Sequence, residues 1–178
     1  MNIVFFDLET QNLFEDVGGR ENVEQLRLAC AVTWSTQRQD FAVYWEDDVS
    51  ALIWELKSAD RVVGFNIRRF DYRVLQPYIP GENLQRLPTL DMLDEITRQL
   101  GFRLGLDALA SATLNIGKSA DGKESVRWFR NGELEKVAEY CKNDVEITRR
   151  LYEFGRENGF LYYYSRMGSR LRVPVTWK

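Results

Sequence analysis

Four consecutive apolar residues, Ile3-Val4-Phe5-Phe6, run directly into Asp7-Leu8-Glu9-Thr10. A short apolar run of this kind reads as a β-strand buried on both faces, the type found at the centre of a sheet covered by helices on each side. That reading disfavours all-helical and one-faced β architectures. It also creates a difficulty, because side chains alternate across a strand and Asp7 and Glu9 therefore project from the same face, next to each other. Two such charges repel by up to about 4 kcal/mol when roughly 4 Å apart at an effective dielectric near ~20. Taken alone, the pair is also what a solvated strand end looks like, since charged residues are mostly exposed.

The remaining pattern supplies the partners of that strand. Leu26–Trp34 and Phe41–Trp45 are rich in β-branched and aromatic residues, and the polar Ser35–Asp40 between them reads as a hairpin turn. Asp47 and Asp48 offer an N-cap to a helix carrying Val49, Leu52, Ile53 and Leu56 at helical spacing. Arg61–Phe65 predicts a fourth strand, followed by a short helix that stops near Pro77, Pro80 and Gly81. A brief fifth strand is expected around Thr89–Leu90, then helices over Asp91–Leu100, Leu104–Leu114 and Glu133–Phe154. Three strands in meander followed by alternating helices and strands predict an α/β fold, a mixed sheet with helices packed on its faces. At 178 residues the chain is expected to form one domain, 1–178, with 155–178 as a C-terminal helix and a basic aromatic tail.

Composition narrows the chemistry. The chain has no histidine, which excludes Ser-His-Asp triads, Cys-His dyads, His-ligated zinc and haem, and any imidazole proton shuttle. Cys30 and Cys141 are distant and lie in apolar stretches, as buried reduced thiols do. With 24 basic against 27 acidic residues the net charge is −3, so contact with a polyanion would rest on local patches. The N-terminus has no basic segment before its apolar run, and no apolar run reaches the ~18 residues of a membrane span. A soluble, cytoplasmic protein is the expectation.

Two further acids stand where apolar residues belong. With roughly 100° per residue and Val137 at about 0°, Cys141 falls near 40°, Val145 near 80°, Ile147 near 280° and Leu151 near 320°. Asp144 lands near 340°, inside that apolar stripe, and Tyr140 near 300°, while Glu139, Lys142, Glu146, Arg149 and Arg150 take the other face. The helix after the fourth strand begins Phe70-Asp71, and Asp71 sits between Val74 and Leu75 on its wheel. A buried Asp satisfied by backbone donors or an arginine accounts for the first, and an acid at a helix N-terminus for the second. Inward carboxylates with no imidazole nearby instead suit a hard divalent cation such as Mg²⁺ or Mn²⁺, which would also remove their mutual repulsion.

Asp7-Leu8-Glu9-Thr10, then Asn66-Ile67-Arg68-Arg69-Phe70-Asp71, then Tyr140-Cys141-Lys142-Asn143-Asp144 resemble the three ordered exonuclease motifs of the DEDD superfamily, D-x-E, N-x3-F-D and Y-x3-D. The tyrosine marks the DEDDy branch. Residues from Met1 to about 155 share the resemblance, and Arg127–Tyr152 is most similar to helicase-associated exonuclease domains. The resemblance implies a ribonuclease H-like fold, with a five-stranded mixed sheet whose first three strands are antiparallel and helices on both faces. It implies a 3′-5′ exonuclease acting on single-stranded or frayed DNA or RNA, with a helicase or another nucleic-acid enzyme as partner and a role such as DNA repair. Asp7, Glu9, Asp71 and Asp144 would hold two Mg²⁺ or Mn²⁺ ions about 3.5–4 Å apart, clamping the attacking and leaving oxygens of an in-line displacement. Tyr140 would orient the attacking water, and Thr10, Asn66 and Arg69 would contact the terminal nucleotide. The acidic loop after Gln11-Asn12-Leu13-Phe14 would lie beside the nucleotide pocket. A structure-specific endonuclease on the same fold and a non-catalytic nucleic-acid-binding module are the rival readings.

Three secondary signals accompany these motifs. Gly117–Glu124 approaches a phosphate-binding loop, but Glu124 replaces the hydroxyl that would ligate Mg²⁺, so a basic or plain solvated loop is expected. Arg61, Arg68, Arg69 and Arg73 flank Asp71 and read either as phosphate contacts or as ordinary surface arginines. Arg166, Arg170, Arg172 and Lys178 interleave with Tyr162, Tyr163, Tyr164 and Trp177, which fits stacking on a single strand or a tail docked over the sheet.

Overall fold

In the computed structural model, which describes residues 1–117 and 122–177, the first strand does not end at Phe6 but carries the acidic pair within it, as β1 (Ile3–Thr10). With β2 (Leu28–Ser35), β3 (Asp40–Trp45), β4 (Arg61–Gly64) and β5 (Thr89–Asp91) it forms a sheet in the order β3-β2-β1-β4-β5. The first three strands are antiparallel, and β4 and β5 continue the sheet in parallel. The mixed, five-stranded α/β sheet expected from the sequence is therefore the observed one.

Among the described residues six α-helices flank it: α1 (Val49–Ser58), α2 (Asp71–Leu75), α3 (Met92–Leu100), α4 (Leu106–Leu114), α5 (Gly122–Arg130) and α6 (Leu134–Asn158). Ile3 and Phe5 face one core with Cys30 and Val32, closed by Val137, Cys141 and Val145 of α6 and by residues of α3 and α4. Val4, Phe6 and Leu8 face the other, against Leu52 and Leu56 of α1 and Tyr72 and Val74 of α2. Burying a large apolar side chain contributes roughly 1.5–3 kcal/mol, so five of them in one strand outweigh the repulsion of two adjacent acids. Their packing fixes the alternation, and the alternation points Asp7 and Glu9 inward beneath α6.

β4 pairs with β1 only from Ile3 to Phe5 and stops at Gly64. A Cβ at Gly64 would lie 2.8 Å from the Phe6 carbonyl oxygen and collide with the Ile67 side chain, so the chain turns this tightly only because residue 64 is glycine. The second half of β1 is thus left without a partner on that side, and a notch opens next to the acids.

Four elements differ from expectation. Asp48 occupies the N-cap position of α1 without capping it, because its carboxylate accepts from the Trp45 N–H at 3.2 Å. The phosphate-loop-like segment leads into α5, which starts at Gly122, while Lys118–Asp121 lies outside the described residues. The loop after β1 forms two 3-10 turns, Phe14–Val17 and Arg20–Gln25. Residues 155–178, read as a C-terminal helix and tail, hold only the last turn of α6, which Gly159 terminates in a left-handed conformation (φ 76°). A hairpin of β6 (Phe160–Tyr164) and β7 (Arg170–Pro174) follows, and the Trp177 ring stacks on Tyr152 beside Gly155. Among the described residues no helix is long and apolar enough to cross a membrane.

Candidate active site

The carboxyl ends of β1, β4 and β5 meet where the notch opens, the edge at which open α/β sheets place their ligand crevices. Asp7 and Glu9 come from β1 and Asp144 from α6, and one carboxylate oxygen of each lies within 4.8 Å of the others. Glu9 is only 8% exposed. Asp71, the first residue of α2, is 2% exposed and comes from the opposite face of the sheet. Its Oδ1 accepts the Leu8 N–H at 3.1 Å, filling the notch that β4 leaves. Asp71 stands outside the tight trio but lines the same cavity.

Crowding of acids in a buried place shows in their proton affinity. Burial, then the negative charges of Asp71, Asp144 and Glu9, push Asp7 well above the usual carboxylate range. Burial lifts Glu9 to about 8, with Asp144 and Asp71 adding to the rise and the approaching Ser125 hydroxyl opposing it. Burial and the neighbouring Asp107 raise Asp144 to about 7, against the pull of Tyr140. Burial also raises Asp71, opposed by backbone N–H groups. Among the described residues the Asp144 Oδ1 is buried without a hydrogen-bond partner. Cys141 donates its thiol to the Asp7 carbonyl at 3.3 Å, and burial pushes that thiol up, so it remains a neutral donor. Cys30 and Cys141 are both free and buried, as expected. Three clustered carboxylates, one with an orphan oxygen, form an all-oxygen donor set that fits a hard divalent cation.

Asp7 and Asp144 border two cavities, and Glu9 the larger of them. The larger, about 600 Å³, is lined by the four acids with Thr10, Phe14, Phe65, Phe70, Arg20 and Lys123, among others. Phe14 meets Phe70 edge-on at 6.0 Å, and the Arg20 guanidinium lies 5.6 Å from the Phe14 ring centre. The smaller, about 410 Å³, shares Asp7, Asp144, Phe65 and Asn66 and adds Arg103. The segment following Gln11 does lie beside the larger cavity, through Asn12, Leu13, Phe14 and Glu15.

The other predicted residues divide. Asn66 lies at the junction of both cavities in a left-handed conformation (φ 68°), its side chain accepting from Arg103 at 2.8 Å. Asp91 holds that bend by accepting from the N–H groups of Asn66 and Arg68. The Thr10 hydroxyl donates to the Asn12 carbonyl at 3.0 Å and shapes the rim. Tyr140, one turn before Asp144, packs edge-on to Trp128 of α5, and its side-chain hydrogen bond opposes the rise in the proton affinity of Asp144. Arg69 points away to Asp94, 3.3 Å distant. Arg68 bonds Gln85 and Thr89, and Arg73 pairs with Glu24, so these two brace loops. Arg103 and Asp107 escape the sequence reading, because they sit in a loop and a helix start where no periodicity marks a direction, whereas Phe14 and Lys123 fall in segments the sequence singles out without giving either side chain a role.

Residues 4–154 match the model of the RNase H superfamily. No curated protein matches the sequence. Among solved structures the chain is similar to the crystal structure of Trypanosoma brucei RNase D, with a TM-score of 0.61 and 13% identity over 85% of this chain and 56% of that one. The chain thus spans little more than half the length of that relative, and the likeness is one of fold.

Proposed function

We propose, from the premise that this chain belongs to the RNase H superfamily, that it is a metal-dependent 3′-5′ exonuclease of the DEDDy branch. Its substrate is the 3′ end of single-stranded or frayed DNA or RNA. The observation that carries this reading is the clustered trio Asp7, Glu9 and Asp144, with Asp71 beside it, at an aromatic-lined cavity that adjoins a second one bordered by Arg103. Asp7, Glu9, Asp71 and Asp144 would hold two Mg²⁺ or Mn²⁺ ions. When bound, such ions polarise phosphoryl oxygens and lower the pKa of water.

The chain's own residues do the rest. Phe14, Phe65 and Phe70 offer ring faces and edges to the terminal base, a sequence-tolerant mode of holding it. Arg20 and Lys123 bring positive charge to a cavity that would otherwise repel a phosphate. Tyr140 orients the attacking water from one helical turn before Asp144, and Asn66 steadies the nucleotide at the junction of the cavities. Arg69 pairs with Asp94 at the start of α3 and is not among the residues lining either cavity.

Purified protein with Mg²⁺ or Mn²⁺ is expected to shorten a 5′-labelled single strand in one-nucleotide steps, and to stop when chelator is added or the 3′ end is blocked. Gel analysis of the products reads both. Cleavage of a circular strand would instead mark an endonuclease, and retention of the strand without shortening would mark a binding module.

A further inference from the structure

The β6–β7 hairpin has two faces of different character. Leu161 and Val173 point inward and are buried in the core that α4 and α6 share. The register pairs Phe160 with Pro174, Tyr162 with Arg172 and Tyr164 with Arg170, so these six residues alternate out of the core onto one outward face. There the Arg170 guanidinium lies 3.7 Å from the Tyr162 ring centre and that of Arg172 lies 4.2 Å from Phe160. Phe160 and Tyr162 meet edge-on at 5.0 Å. Tyr164, Arg170 and Arg172 are exposed, as is Arg166 in the turn. Residues 159–177 contain three arginines and no acid, in a chain whose acids outnumber its bases 27 to 24.

The outer face shares part of the packing, since Phe160 and Tyr162 meet Phe154 of α6 and Arg170 reaches the Ala112 carbonyl of α4, while Tyr164, Arg166 and Arg172 stay exposed beside those rings. Rings alternating with flat cations match a polyanion that also presents flat apolar groups. Bases stack on aromatic and guanidinium planes alike, and phosphates take the charge. A duplex hides its base faces, and a lipid headgroup layer offers charge without rings to stack. On the inner side Tyr163 meets Phe102 at 6.1 Å, and Phe102 precedes Arg103 of the smaller cavity, so the hairpin adjoins the loop that opens onto the acids.

We infer that the outward face of this hairpin is a second binding surface for the single strand whose 3′ end enters the active site, gripping it several nucleotides from the cleaved bond. The inference rests on the exonuclease reading for the identity of that strand, but binding at the hairpin needs no hydrolysis.

The test is fluorescence anisotropy in chelator, comparing a trinucleotide with an oligomer of about 20 nucleotides, longer than the roughly 4–16 that one such surface spans. The variants are Arg166→Glu/Arg172→Glu and, separately, Tyr164→Ala. Arg170 is kept because its Nε donates to the Ala112 carbonyl at 2.9 Å. Wild type is expected to bind the long oligomer at least about tenfold more tightly than the trinucleotide, and the charge variant to lose that advantage with a salt slope shallower by about 1.4 for two lost contacts. Tyr164→Ala is expected to weaken the long oligomer about fivefold with an unchanged salt slope, as loss of one stacked ring would. Trinucleotide hydrolysis with Mg²⁺ should be unaffected in both variants. If the long oligomer binds both variants as it binds wild type, or wild type prefers duplex or phosphatidylserine vesicles, the inference is overturned. If the binding loss is seen but wild type cleaves neither oligomer, the exonuclease reading fails and the hairpin surface stands.

Discussion

Asp144→Asn is expected to slow hydrolysis of a single-stranded oligomer by about 10³-fold or more, the equivalent of about 4 kcal/mol of lost transition-state stabilisation. The size follows from geometry. One carboxylate oxygen of Asp144 lies within 4.8 Å of those of Asp7 and Glu9, and among the described residues its Oδ1 is buried without a hydrogen-bond partner, so that oxygen is available to a bound cation. Asparagine keeps the shape and removes the charge. The control is Glu146→Gln on the same helix, where the carboxylate already pairs with Arg149 at 2.8 Å on the outer face. That variant should hydrolyse at the wild-type rate, because surface pairs of this kind contribute little. Single-turnover rates at saturating Mg²⁺ read both. An Asp144→Asn rate within tenfold of wild type would remove the carboxylate cluster from the chemistry.

Metal-free protein should lose stability as pH rises, which is opposite to the behaviour of a protein held by paired carboxylates. Glu9 is raised from the usual 4.5 to about 8 and Asp144 from 3.8 to about 7. The folded state therefore binds protons that the unfolded state releases, and stability falls wherever the native state holds more protons. The contribution is complete below about pH 4, declines above it, and is gone above about pH 8. At about 1.4 kcal/mol per unit, and discounting for coupling within the cluster, about 3 kcal/mol disappears between pH 5 and 8, a fall of roughly 6–12 °C in Tm. A divalent cation that binds only the folded state reverses this, by an amount that grows with its concentration over Kd. Thermal melts in chelator and in Mg²⁺ across that range check both halves. A chelated protein whose Tm is flat or rises with pH would mean that the acids are not forced together.

Both expectations descend from residues whose direction was readable before any coordinates. Asp7 and Glu9 inherit theirs from an apolar strand, and Asp144 from a stripe of Val137, Cys141, Val145 and Leu151, because burial of the neighbours fixes where the odd residue points. Asp71 was legible in direction but not in partner, since the N–H it accepts from is exposed by the early end of β4 at Gly64. The arginines were not legible. The pairing of Arg73 with Glu24 spans 49 residues, and no spacing rule reaches that far. The hairpin was missed because a run of five aromatic and apolar residues, Phe160–Tyr164, has no alternation, although the structure sorts it into an inner and an outer set. The start of α5 was hidden by a Gly-Lys sequence that looks like a loop.

The contact between Cys141 and the Asp7 carbonyl joins elements 134 residues apart, and the acids meet only when α6 settles on β1. Such distant closure comes late on a folding path, since loop entropy is lost before the contact is gained. The centre is then absent from the transition state, and a bound cation acts on the exit from the native state more than on the approach to it. In a denaturant chevron, Mg²⁺ should lower the unfolding arm and leave the refolding arm in place, so that the ion serves as a latch on a chain that has already found its shape.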